Sequence, residues 1–126
     1  MSKTTIKKIN DFITEREWND LNDPSNTAKS ICIEAAELLE KFQWKNYSAG
    51  EIIADAKLRE KIGREIADVL IYTYSLTSML ELDADKLMTD KLRDAALKYP
   101  VAQVKGKLGQ KEYLNIKQEF RAKKKN

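Results

Sequence analysis

Two short stretches of the chain place carboxylates three residues apart: "ICIEAAELLEKFQWK" carries Glu34 and Glu37, and "IGREIADVLIYTY" carries Glu65 and Asp68. On an α-helix this spacing puts both acids of a pair on one face. At about 100° per residue, Glu34 lies roughly 80° from the middle of its apolar stripe, and Glu65 lies about as far from its own. If the two stripes pack against each other in antiparallel fashion, all four acids border one seam. Two unit charges about 4 Å apart repel by about 4 kcal/mol at an effective dielectric of about 20, so such a group either takes up protons or binds a cation. Oxygen ligands without His or Cys favour Mg²⁺ or Mn²⁺ over zinc or copper, and Mg²⁺ keeps waters and reaches substrate phosphates. Spacing alone also fits solvated helix faces, because Glu17 with Asp20, Asp20 with Asp23, and Glu37 with Glu40 repeat it.

Composition removes most other chemistry. Among 126 residues there is no histidine, which excludes Ser-His-Asp and Cys-His arrangements and the HExxH zinc sites. The one cysteine, Cys32, forms no internal disulfide and is expected to be a small buried apolar residue in a reducing compartment. Hydrophobic residues make up 42% and charged residues 34%, with four Gly and two Pro, a balance that suits a folded, mainly helical chain. No run of about 18 apolar residues and no apolar signal core near Met1 are present, so the expectation is a cytoplasmic protein without a membrane partner. Positive charge collects at the end: residues 98–126 hold nine Lys and Arg against two acids, so the rest of the chain is net negative. That tail, closing on Arg121, Lys123, Lys124 and Lys125, fits a solvated end, and no specific nucleic-acid partner is expected from it.

The elements that must position the acids follow from hydrophobic period. Ile6, Ile9, Phe12 and Ile13 predict a helix from about Thr4 to Trp18, with Asn22, Asp23 and Pro24 as a break. A second helix is expected to be capped by Ser25 or Asn26 and to carry Ile31, Ala35, Leu38, Leu39 and Phe42 on one stripe to about Trp44. A short helical piece at Glu51 to Ala56 precedes a third long helix bearing Ile62, Ile66, Val69, Leu70, Thr73 and Leu76. Asp83 or Asp85 caps a fourth helix that Pro100 ends, and a last one spans about Glu112 to Ala122. No segment alternates as a strand followed by a hairpin turn does, so the fold is expected to be all-α, a bundle of four to five helices.

The order Glu-x-x-Glu, "KFQWK", a charged linker, Glu-x-x-Asp in "REIADVLIY" and a later "KYP" resembles the MazG-like all-α nucleotide pyrophosphohydrolases, most closely their dCTP pyrophosphatase branch. The likeness runs from about Phe12 to Tyr113. It implies a domain over residues 1–113 followed by a basic tail, 114–126, partly helical or disordered. The reaction it implies is Mg²⁺-dependent hydrolysis of a (deoxy)nucleoside triphosphate, with dCTP or a modified pyrimidine leading, to the monophosphate and pyrophosphate.

Carried onto this chain, the resemblance makes Glu34, Glu37, Glu65 and Asp68 the catalytic acids and metal ligands, with Glu40 as an additional acid nearby. It assigns Trp18 and Trp44 to the base pocket, Tyr72 to the sugar and Lys91 to phosphate, with Arg93 and Lys98 as weaker cations. On periodicity alone these rings equally fit core or subunit packing. Where many relatives have an asparagine before "YP", this chain has Asp94 and Ala95, which bears on substrate preference. The resemblance also implies a homo-oligomer, a dimer or a dimer of dimers, that completes the bundle. The rival reading is a non-catalytic helical module that binds nucleic acid through the basic tail.

Overall fold

The computed structural model describes residues 3–106 and 109–123. Among these the secondary structure is entirely helical: α1 (Lys3–Thr14), α2 (Pro24–Glu40), α3 (Ala49–Ala54), α4 (Ala56–Met79), α5 (Ala84–Lys98), α6 (Val101–Val104) and α7 (Gln110–Lys123). Five of these have twelve residues or more, in agreement with the all-α expectation. Lys124 and Lys125 of the basic tail lie outside the described residues.

The chain forms two compact units, one through Asp83 and one from Ala84 onward. In the first, α4 is the axis. Its widest contact is with α2, and α1 and α3 also pack on it. In the second, α5 meets α7, where the rings of Tyr99 and Tyr113 stack with centroids 5.7 Å apart.

Several helix boundaries differ from the sequence expectation; α2 ends at Glu40 rather than about Trp44, and the short helix α3 spans Ala49–Ala54 rather than Glu51 to Ala56. The cap of α2 is Asp23 rather than Ser25 or Asn26: its carboxylate accepts the Asn26 N–H at 2.9 Å. Pro24 opens the helix instead of only ending what precedes it, because the first helical position needs no N–H. Helix α1 ends at Thr14, short of Trp18. There Glu17 turns left-handed at φ 54°, with its N–H on the Thr14 carbonyl and the Trp18 N–H on the Ile13 carbonyl. Helix α4 closes the same way at Glu81, φ 53°, with bonds from Glu81 to Ser78 and from Leu82 to Thr77. These are Schellman closures made without the usual glycine.

The packing is thin. Ile62 and Tyr74 are the buried hydrophobic residues among those described, while Ile33 and Leu39 of α2 and Ile66, Leu70 and Ile71 of α4 are exposed. Cys32 is also exposed, against the expectation of burial, because it lies on the side of α2 turned to solvent.

Candidate metal centre

The contact between α2 and α4 brings the acid pairs together. Glu34, Glu37 and Glu65 each offer a carboxylate oxygen, and the three oxygens lie within 4.8 Å of one another. Asp68 stands outside that trio, but its charge acts on Glu34. Partial burial, followed by the charges of Glu37, Asp68 and Glu65, pushes the Glu34 carboxyl above its usual range. An acid with a raised pKa is one whose ionised form lacks compensation. A proton or a cation relieves it.

Lys41 supplies part of that relief. As the C-cap residue of α2 it reaches across to α4, with its Nζ 2.8 Å from Glu65 Oε1. The end of α2 therefore lies beside the N-terminal half of α4, as an antiparallel crossing requires. The hydrogen bond to Glu65, and then the charges of Glu65, Glu40 and Glu37, hold the Lys41 ammonium above its usual pKa. Three converging carboxylates against one ammonium leave net negative charge, and the donors are oxygen only. That set fits a hard divalent cation.

None of the remaining candidates belongs to the trio. Trp18 follows the left-handed Glu17 and meets Phe12 edge-on, with centroids 5.9 Å apart and planes at 76°. Trp44, in the turn after α2, is 89% exposed. Tyr72 is half-buried on α4. Lys91 is exposed on α5, in the second unit, where Arg93 pairs with Asp90 and Lys98 lies over the rings of Tyr99 and Phe120.

Sequence reasoning did not single out a cleft of about 440 Å³ between α1, the segment after it and the C-terminal part of α4. Asn10, Thr14, Asn19, Asn22, Ser75 and Ser78 line it together with Ile13 and Met79, and none of these side chains is ionisable. Asp68, Tyr72 and Ser75 recur at steps of four and three residues along α4, so the acids and the cleft share one face of that helix. The register of Ser75 with Asp68 was readable in the sequence. The approach of Asn10, Asn19 and Asn22 to it was not.

Residues 29–116 match the MazG-like family. The chain belongs to that family. It is 32% identical over 92 residues to dCTP pyrophosphatase 1 of Rattus norvegicus and 30% identical over 91 residues to that of Homo sapiens. Those alignments cover 72% and 71% of this chain and 54% of each relative, so the chain spans about half the length of these mammalian proteins. The fold is similar to the crystal structure of a pyrophosphatase from Archaeoglobus fulgidus, with a TM-score of 0.71 and 35% identity over 78% of this chain and 91% of the other. Among the described residues no helix is long and apolar enough to cross a membrane.

Proposed function

We propose that this member of the MazG-like family hydrolyses a nucleoside triphosphate to the monophosphate and pyrophosphate, with Mg²⁺ or Mn²⁺ held by Glu34, Glu37, Glu65 and Asp68. The observation that carries the reading is the convergence of three carboxylates within 4.8 Å. A bound dication supplies Lewis acidity and phosphate charge neutralisation there. The chain's own acids would hold it, and their all-oxygen donor set suits a hard cation.

The names of the mammalian relatives support dCTP or a modified pyrimidine deoxynucleotide as the leading substrate. Layout along α4 supports a nucleotide as the ligand class. Phosphates belong beside Glu65 and Asp68, the sugar beside Tyr72, and the uncharged base toward the neutral cleft at Ser75, about 10 Å along the helix from Asp68. In this reading Trp18 and Trp44 add stacking area for the base and Lys91 meets phosphate, the last two within an assembled oligomer. The exposed apolar residues Ile33, Leu39, Ile66, Leu70 and Ile71 support a dimer or a dimer of dimers, since covering them removes apolar surface from water. Light scattering at micromolar concentration is expected to give more than the monomer mass.

The deciding assay incubates the protein with each common dNTP and NTP plus Mg²⁺ and separates the products. Monophosphate with pyrophosphate is expected, fastest with a pyrimidine deoxynucleotide. Diphosphate with orthophosphate would show that another bond is cut.

A further inference from the structure

Among the described residues, Lys41 is the cation that pairs directly with the acid trio, 2.8 Å from Glu65. Its side chain is 26% exposed and that of Glu65 14%. The Lys7–Asp11, Arg64–Glu60 and Lys86–Asp90 pairs differ: each lies one turn apart on a single helix with its cation well exposed. Pairs of that exposed kind contribute little. The Lys41–Glu65 pair joins two helices and neutralises a carboxylate that lies close to those of Glu34 and Glu37. An ammonium and a dication in the same nest repel each other, so the two compete for Glu65.

We propose that Lys41 is a built-in counter-ion of the metal centre, neutralising Glu65 in the metal-free protein and giving that carboxylate up when a divalent cation binds. The inference rests on the metal-centre reading above and adds a control on it. A partner that binds only the metal-free form lowers apparent metal affinity by mass action, so Lys41 sets the metal concentration at which the centre fills. The lysine suits this role: its flexible stem lets the head leave Glu65 without moving α2.

Calorimetric titration with Mn²⁺ alone, on the wild type and on Lys41→Met, Lys41→Gln and Lys41→Arg, tests the proposal. The neutral variants are expected to bind Mn²⁺ about five- to tenfold more tightly. They should also melt lower without metal and gain more on adding Mn²⁺, while Lys41→Arg, which keeps the charge, stays within about twofold of the wild type. Two neutral variants are used so that a folding defect in one does not decide the result. Equal or weaker Mn²⁺ binding in the neutral variants would overturn the proposal. Glu34→Gln, titrated in parallel, separates it from the reading beneath it. Mn²⁺ binding that is lost in Glu34→Gln yet equal in wild type and neutral variants removes the counter-ion role alone. No Mn²⁺ binding by any of the proteins removes the metal centre as well.

Discussion

Asn10 on α1 donates from its Nδ2 to the Oγ of Ser78 on α4 at 3.1 Å, joining residues 68 positions apart. Both line the neutral cleft, so one bond fastens the first helix to the longest and helps shape the space between them. A surface bond between neutral side chains contributes about 1 kcal/mol or less. Asn10→Ala is therefore expected to lower the unfolding free energy by about 0.5–1 kcal/mol in urea titrations. If the nucleoside occupies the cleft, the same variant raises KM for the triphosphate about threefold to tenfold with kcat little changed.

Glu34→Gln and Asp68→Asn remove one charge each while preserving shape. Both are expected to leave a folded protein, checked by circular dichroism, with pyrophosphate release down by about 100-fold or more. Turnover near the wild-type level in either variant would remove that residue from the metal centre.

The N-terminus of α3 is held by a capping box. Ser48 Oγ accepts the Glu51 N–H at 3.3 Å, and the Glu51 carboxylate accepts the Ser48 N–H at 2.8 Å. Ser48→Ala is expected to cost about 1 kcal/mol. The Ser48 backbone, Lys45 and the Ser48 hydroxyl lower the Glu51 pKa from 4.5 to about 2. Folding thus favours the ionised form. The contribution is complete above the unfolded value and is lost as pH falls from about 4.5 to about 2. Glu51→Gln should melt below the wild type at neutral pH, and the gap should close at the acid end of that window.

Glu81 holds a left-handed conformation, φ 53°, that costs a side chain and suits glycine. Glu81→Gly is expected to stabilise the protein by about 0.5–1 kcal/mol, since relief of strain exceeds the extra chain entropy of glycine. A rise in melting temperature with unchanged nucleotide turnover is the measurement.

Glu17 and Glu81 also show why helix ends were less legible than helix existence. A closure through glycine announces itself, whereas a glutamate at the same position suggests that the helix continues, and so the period of Ile6, Ile9, Phe12 and Ile13 predicts a helix that runs on to Trp18. The burial pattern was legible only in part. The stripe on α4 includes Ile62, which is buried, and Ile66 and Leu70, which are exposed in the single chain. Amphipathic period reports that a face avoids water, not whether its own subunit covers it.

The acid pairs were determined by the sequence alone, because helical geometry sets acids three residues apart on one face whatever surrounds them. The all-helical class follows in the same way, from local period and the absence of strand alternation. Tertiary structure decided which acids converge, with Asp68 outside the close trio of Glu34, Glu37 and Glu65 and Lys41 brought against Glu65. It also decided that three asparagines separated along the chain line one cleft with Ser75 and Ser78. Those relationships depend on how α1 and α2 cross α4. A crossing is the sum of many small packing contacts over a whole interface, and no local stretch of sequence encodes that sum.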